Sequence, residues 1–208
     1  MVKKITEKNT LPKEIFNQKP NDLLLANYVR VYLVNKRTWS AFARTRGDVQ
    51  ASKKKIYKQK GTGRARHGAI SAPIFVGGGK AHGPKLIDVK LKINKKQIKK
   101  ALFCALSKAN KEKRIFILPD STVKSSPKTK QIEKALKDLK IYDKKILLVF
   151  SNLKKSSKDL ILSARNIKNL TYVEVRTLNA YDVLSNQNIL FFEEALINLK
   201  AHYLTNEK

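Results

Sequence analysis

All eight glycines of the chain lie between residues 44 and 84, and acidic residues are missing from most of the same segment. None occurs between Asp48 and Asp88, whereas nine Lys and Arg residues do. The few apolar residues there cannot offset the entropy of ordering so long a backbone. Because the segment cannot neutralise its own charge, we predict that residues 44–87 form an extended arm ordered by an external polyanion. A disordered basic loop with no fixed partner is the alternative.

The charge of the whole chain narrows the choice of polyanion. The net charge is +29 over 208 residues, which favours nucleic acid or an anionic membrane as the partner. The sequence shows no long uncharged apolar run, lipidation motif or signal-peptide pattern, so we expect no membrane partner. Residues 1–110 hold 26 Lys and Arg against five Asp and Glu, and residues 111–208 hold 19 against 11. The polyanion is therefore expected to contact mainly the first half.

The arm places two glycines directly before two arginines in Gly61-Thr62-Gly63-Arg64-Ala65-Arg66. Glycine is favoured where the backbone takes a positive φ or approaches another surface closely, and guanidinium groups bind phosphate with two parallel hydrogen bonds. This pattern predicts contact with RNA. A solvated basic surface is the simpler interpretation of any single cation.

The sequence contains few candidate residues for catalysis or for binding a metal ion. Cys104 is the only cysteine, which excludes an intramolecular disulfide and a cysteine-based metal cluster. The three histidines, His67, His82 and His202, lack the spacing of metal ligands. We therefore predict no bound metal and no cofactor.

A nucleotide-dependent enzyme is a further alternative, and the glycine pattern argues against it. Gly77-Gly78-Gly79-Lys80-Ala81 resembles the end of a phosphate-binding loop, but Ile74 occupies the first glycine position and Ala81 replaces Ser or Thr. No glycine follows Gly83, although the turns of nucleotide-binding α/β folds need one. We predict that the protein is not an enzyme and has no small-molecule substrate.

The rest of the chain predicts an α/β body. Short apolar runs typical of doubly covered strands occur at Ile115–Leu118, Ile146–Phe150, Tyr172–Val175 and Ile189–Phe192. Helices are predicted after Asn94 and at Lys128–Leu139, Ser157–Asn166 and Glu193–Tyr203. Alternating strands and helices imply parallel pairing. The predicted fold is a three-layer α/β/α domain with a mainly parallel four-stranded sheet and a long extended basic loop.

This pattern divides the chain into three segments. Residues 1–43 are a leader and a helix that belong to the globular body, 44–87 are the arm, and 88–208 are the α/β body. Within the first, a brief extended piece is expected around Ile15 and Phe16. The helix begins near Asn21 or Asp22, and its apolar stripe is predicted to continue to Trp39 and Phe42. Residues Asp88–Ile93 are expected to form a strand or an extended segment.

Several motifs of the chain resemble those of a known family. Residues 59–70 read QKGTGRARHGAI, and Gly77-Gly78-Gly79 and His82-Gly83-Pro84-Lys85 follow. Residues 43–46, 164–167 and 179–184 carry further matches. Together they resemble the L four family of large-subunit ribosomal proteins over residues 22–203. The chain departs from that family at residues 51–57, which read ASKKKIY in place of a glycine cluster and a Lys-Pro-Trp-like segment. Tyr57 could replace that aromatic residue by stacking on a base.

The resemblance implies a structural constituent of the large ribosomal subunit that supports assembly and translation. Its body would lie on the outer face of the subunit, and its arm would penetrate the 23S-type rRNA and line the peptide exit tunnel at its constriction. A second tunnel protein would lie opposite, among other neighbouring ribosomal proteins, and the chain would not form a homo-oligomer. The ribosome would be cytoplasmic or organellar. A regulator that binds messenger RNA outside the ribosome is the alternative function.

The expected rRNA contacts all lie in the arm. They are Arg44, Arg46, Lys53, Lys54, Lys55, Tyr57, Lys58, Lys60, Gly61, Thr62, Gly63, Arg64, Arg66, His67, Gly77, Gly78, Gly79, Lys80, His82 and Lys85. The resemblance further implies that a subset lines the tunnel, namely Lys60, Gly61, Thr62, Gly63 and Arg64.

Overall fold

The computed structural model of the protein describes residues 11–87, 89–118, 129–139, 141–151 and 161–204. The chain divides into two compact units. We call residues 1–33 together with 92–208 the body, and Val34–Leu91 the arm unit. The arm unit includes the whole of the segment 44–87 whose composition predicts RNA binding.

The body is built on a sheet of four parallel strands. These are β1 (Ile115–Leu118), β2 (Ile146–Phe150), β3 (Leu170–Glu174) and β4 (Asn188–Phe192), arranged in the order β1-β4-β2-β3. Every residue of β1, β2 and β4 is buried, so both faces of the sheet are covered there. The predicted α/β fold with a parallel four-stranded sheet is confirmed.

Six helices with defined bounds and one 3₁₀ turn (Val175–Thr177) accompany the strands in the described residues, in addition to the helical residues 161–164. The helices are α1 (Lys13–Phe16), α2 (Asp22–Lys36), α3 (Lys95–Lys111), α4 (Thr129–Asp138), α5 (Ala180–Ser185) and α6 (Glu193–Leu204). The helices predicted after Asn94, within Lys128–Leu139 and at the end of the body are confirmed as α3, α4 and α6. Of the helix predicted at Ser157–Asn166, residues 161–164 are helical, and its part before residue 161 lies outside the described residues, as does Lys128.

Helix α3 contributes eight buried residues to the body. Its buried positions combine small and large side chains, with Ala101, Cys104, Ala105, Leu106 and Ala109 fully buried. The small residues allow neighbouring elements to approach closely, and both α1 and α5 pack on this helix. Cys104 is therefore part of the core.

The expected extended piece around Ile15 and Phe16 is wrong, because both residues lie in helix α1 and are buried. Phe16 packs edge-to-face on Phe191, with ring centroids 6.2 Å apart. The Ser107 hydroxyl accepts a hydrogen bond from the Gln18 amide (2.9 Å) and donates one to the Ile15 carbonyl (3.2 Å). So short a helix is unstable alone, and its contacts with α3 and β4 stabilise it.

The expected extension of the second helix to Trp39 and Phe42 is also wrong. Helix α2 does begin at the predicted place, where the Asn21 side chain accepts a hydrogen bond from the Leu24 amide. It ends at Lys36. The amide of Ala43 donates to the Pro84 carbonyl (2.8 Å), and not to the carbonyl four residues earlier as a helix would require. Trp39 and Phe42 are 37% and 52% exposed.

Two further differences concern short segments. Of the strand or extended segment expected at Asp88–Ile93, residues 89–93 pair with none of the described strands, and Asp88 lies outside the described residues. Helix α5 was not predicted. It has six residues, too few for a clear periodic pattern, and the Asn179 side chain caps it by accepting a hydrogen bond from the Asp182 amide (2.9 Å).

Replacing Leu106 with alanine should lower the free energy of unfolding of the body by about 2–5 kcal/mol, because the residue is fully buried on α3. Urea unfolding followed by far-ultraviolet circular dichroism measures this change. Leu23→Ala is the matched control, since Leu23 is 82% exposed on α2 and its truncation should cost less than about 0.5 kcal/mol. Equal losses in the two variants would contradict the packing described for α3.

Candidate nucleic-acid interface

The arm unit concentrates positive charge without regular secondary structure. Between residues 37 and 91 the described chain forms turns and bends, with no helix or strand. The unit contains 14 Lys and Arg residues and two Asp residues. Every Lys and Arg predicted to bind RNA is exposed. The side chains that could neutralise phosphates are therefore accessible.

Hydrogen bonds join the two ends of the arm unit. The Asn35 side chain donates to the Leu91 carbonyl (3.0 Å) and accepts from the Leu91 amide (2.8 Å). Further along, the Ala43 amide donates to the Pro84 carbonyl, and the Lys80 amide donates to the Arg44 carbonyl. Both distances are 2.8 Å. We call residues 43–46 and 79–84 the root of the arm unit. These bonds bring the predicted RNA contacts Arg44, Arg46 and Lys80 together in the root.

Two glycines allow the backbone to pack tightly in this region. A Cβ on Gly79 would lie 2.2 Å from the Arg46 nitrogen, and one on Gly78 would lie 2.1 Å from the Ala72 oxygen. No side chain fits at such distances, so both glycines are required by contacts within the chain. Gly79 also donates its amide proton to the carbonyl of the buried Ser71 (3.0 Å). The role predicted for them in close RNA packing stays a prediction.

A second group of predicted contacts lies in a closed loop of residues 58–64. The Tyr57 hydroxyl donates a hydrogen bond to the Ala65 carbonyl and so joins the two ends of this loop. Gly61 and Gly63 adopt φ of 85° and 63°, and no heavy atom lies within 4 Å of a Cβ built on either residue. The backbone here is thus open to close approach by a ligand, while Lys58, Lys60 and Arg64 are exposed around it.

Three aromatic rings lie beside this loop. His67 contacts Tyr57 and Phe75 edge-to-face, with ring centroids 6.4 Å and 5.0 Å away. The Ile56 amide also donates to the Gly68 carbonyl (3.0 Å). These contacts define the path of residues 56–68, which the sequence did not indicate. Base stacking by Tyr57 and phosphate contact by His67 stay predictions.

The remaining predicted residues, apart from His82 of the root, lie outside these two groups. Lys53, Lys54 and Lys55 precede the aromatic rings, and Lys85 follows the root; all four side chains are exposed. His82 is exposed and has a positive φ of 52°. Gly77, with φ of 83°, has open space where a Cβ would lie. The structure therefore gives these residues access to a ligand, although it does not gather them at one point.

Asp48 is the one acidic residue of the arm unit that the structure describes, and it binds a neighbouring threonine. Its carboxylate accepts hydrogen bonds from the Thr45 hydroxyl (2.6 Å) and amide (3.1 Å), while the Asp48 amide donates to the Thr45 carbonyl (3.0 Å). The hydroxyl bond is the main cause that lowers the pKa of Asp48, followed by the amide bond. This turn fixes the backbone between Arg44 and Arg46. The Thr-x-x-Asp spacing is the sequence signal that would have indicated it.

Among the described residues, no group of three His, Cys, Asp or Glu side chains could hold a metal ion. Nor does any described helix have the length and apolar character needed to cross a membrane.

We expect Gly79→Ala to disrupt the root, because the new Cβ would overlap the Arg46 backbone. Amide hydrogen exchange should become faster at Lys80, whose N–H donates to Arg44 across the root. Gly68→Ala is the matched control, since no heavy atom lies within 4 Å of its added Cβ. Unchanged protection of Lys80 in the Gly79 variant would contradict the close approach.

The turn at Thr45 should respond to acid. Hydrogen bonds to the carboxylate favour its charged form, so they stabilise the turn above the ordinary pKa of Asp, and this stabilisation is lost as the pH falls through the lowered pKa. An NMR titration of the Asp48 carboxyl should give a midpoint below the usual Asp range. Thr45→Val should raise that midpoint and Thr62→Val should not. A midpoint that stays the same in Thr45→Val would count against the hydroxyl as the main cause.

Comparison with known proteins shows which family the chain resembles. The model of the ribosomal protein L4/L1 family matches residues 9–202. The large ribosomal subunit protein uL4 of Amoebophilus asiaticus is 39% identical over 196 residues, which cover 94% of this chain and 91% of that protein. The uL4 proteins of Halothermothrix orenii and Thermotoga petrophila are 38% and 36% identical, covering 89% of this chain in each case and 87% and 85% of the relatives. The chain therefore belongs to the ribosomal protein L4/L1 family.

Proposed function

We propose that this chain is a structural constituent of the large ribosomal subunit that binds 23S-type rRNA through its arm unit. The observation that carries the proposal is the exposed, almost acid-free cationic surface of a unit whose shape is fixed by backbone hydrogen bonds. Relatives that match along most of their length are named as proteins of the large subunit. The role is structural and not catalytic.

The proposed mechanism of binding is electrostatic. Exposed Lys and Arg side chains neutralise phosphates and release the counterions condensed on RNA. Phosphate contacts position the protein, and recognition follows the shape of the folded RNA more than its base sequence. The open backbone at Gly61, Gly63 and Gly77 allows RNA to approach closely. The hydrogen bonds of the root fix the positions of Arg44 and Lys80 beforehand, so less entropy is lost on binding.

Within this function, residues 44–87 are the part that penetrates rRNA, and the body anchors them on the outer face of the subunit beside neighbouring ribosomal proteins. We assign the tunnel wall to Lys60–Arg64, opposite a second protein at the constriction. The support for this assignment is the loop closed by Tyr57, which presents Lys60 and Arg64 at the surface. The protein acts in a ribosome of the cytoplasm or of an organelle.

Removing four cations at and beside the closed loop should weaken rRNA binding and reduce its salt dependence. The variant replaces Lys58, Lys60, Arg64 and Arg66 with alanine. Each phosphate contact contributes about 0.7 to 0.9 to the slope of log affinity against log salt, so the slope should become shallower by up to about 3.6. Fluorescence anisotropy with a large-subunit rRNA fragment, measured across salt concentrations, gives both quantities.

The matched control removes four exposed lysines from the body: Lys134, Lys144, Lys168 and Lys200. It lowers the net charge equally and should change the slope much less. Equal effects of the two variants would mean that total charge, and not the arm unit, determines binding. Sedimentation with ribosomal subunits, followed by crosslinking from Lys60, then tests the assembled state. Recovery of the protein mainly off ribosomes would favour the messenger-RNA regulator instead.

A further inference from the structure

The arm unit exposes an aromatic ring that the predicted set of RNA contacts does not include. Trp39 is the only tryptophan of the chain and is 37% exposed. The guanidinium carbon of Arg37 lies over its ring, 4.3 Å from the centroid. Within the described part of the chain, no second aromatic ring stacks on the indole. One face of Trp39 thus carries a cation, and part of the ring surface remains accessible.

The segment that carries Trp39 is fixed at both ends. On one side, helix α2 ends at Lys36, and the Arg37 amide donates to the Val34 carbonyl (3.3 Å). On the other side, Ala43 donates its amide proton to Pro84 (2.8 Å). A ring held in this way loses little conformational entropy when a ligand stacks on it.

The surroundings of Trp39 favour a polyanionic ligand. Residues 34–47 contain four cations, Lys36, Arg37, Arg44 and Arg46, and no acidic residue. Proteins bind unpaired nucleotides by combining cations for the backbone with aromatic rings on which bases stack. The indole with its guanidinium neighbour provides both components within three residues.

We infer that Trp39 is a stacking site for an unpaired RNA base, with Arg37 on the opposite face of the indole. The inference rests on the proposed function and adds a contact that depends on a ring and not only on charge. It is separate from the closed loop in the sequence, because Trp39 precedes residues 43–46 of the root whereas the loop follows them. The site should accept purine and pyrimidine bases, since every base has a face that can stack.

The fluorescence of the single tryptophan reports this contact directly in the full-length protein. We expect a twelve-nucleotide oligoadenylate to quench the Trp39 emission at saturation, because the base stacks on the indole. Inorganic polyphosphate of similar charge and a fully paired RNA duplex should bind the arm unit with much less quenching, since neither offers an unpaired base. Quenching of equal size by polyphosphate, or none by bound oligoadenylate, would overturn the inference.

Variants at Trp39 test its contribution to affinity. Trp39→Leu should weaken oligoadenylate binding about 5- to 150-fold, the range for one stacked base, and leave the salt slope unchanged because no charge is removed. Trp39→Phe keeps an aromatic face and should retain most of the affinity. Circular dichroism and protection of the Lys80 amide verify that both variants keep the fold. Wild-type affinity in a folded Trp39→Leu protein would overturn the inference.

The two proposals fail in different ways. If the arm-unit cation variant loses RNA affinity while both Trp39 variants bind normally, the stacking site is wrong and rRNA binding by the arm stands. If the full-length protein binds neither oligoadenylate nor the rRNA fragment, both proposals are wrong.

Discussion

Hydrogen bonds hold the arm unit together, and those of its root run between backbone groups. Asp48 is the one acidic residue described in the unit, and its carboxylate accepts hydrogen bonds from Thr45. A bond between backbone groups, such as that from Lys80 to Arg44, does not consume the charge of either side chain. The unit can therefore keep a defined shape while its Lys and Arg side chains stay exposed and accessible to phosphates. A unit built on salt bridges would need acidic residues that would repel the same ligand.

The glycines of this unit serve two purposes that look alike in the sequence. Gly78 and Gly79 have neighbours so close that a Cβ would overlap backbone atoms, whereas Gly61, Gly63 and Gly77 have open space and a positive φ. The first pair stabilises the unit itself. The other three allow tight turns and leave backbone accessible to a ligand. Glycine content alone predicted an unusual backbone here, but only the structure separates internal packing from surface that can face RNA.

A structural feature could be predicted from the sequence when it depends on residues that are close together in the chain. Strands β1 and β2 were predicted at their observed residues because burial on both faces leaves a continuous apolar run that can be seen locally. The segment after α2 and the short helix α1 instead contact Pro84 and Phe191, which lie far away in the sequence. In the same way, charge predicted which residues of the arm could contact RNA. The closed loop and the root depend on pairings between residues that no local pattern connects.

The wrong prediction that α2 extends to Trp39 points to a candidate functional residue. Its spacing from Leu25, Tyr28 and Val31 placed it on the buried stripe of a helix, and those three residues are indeed buried. The helix ends before Trp39, so the ring that the pattern assigned to the core is partly in water beside a guanidinium group. Leaving apolar surface exposed forgoes the stabilisation that burial would give, and Ile74 of the same unit is 73% exposed as well. The charge of this unit favours a polyanionic partner, and the same partner could cover the exposed ring. Charge and apolar exposure then have one common explanation, an RNA that supplies both phosphates and bases.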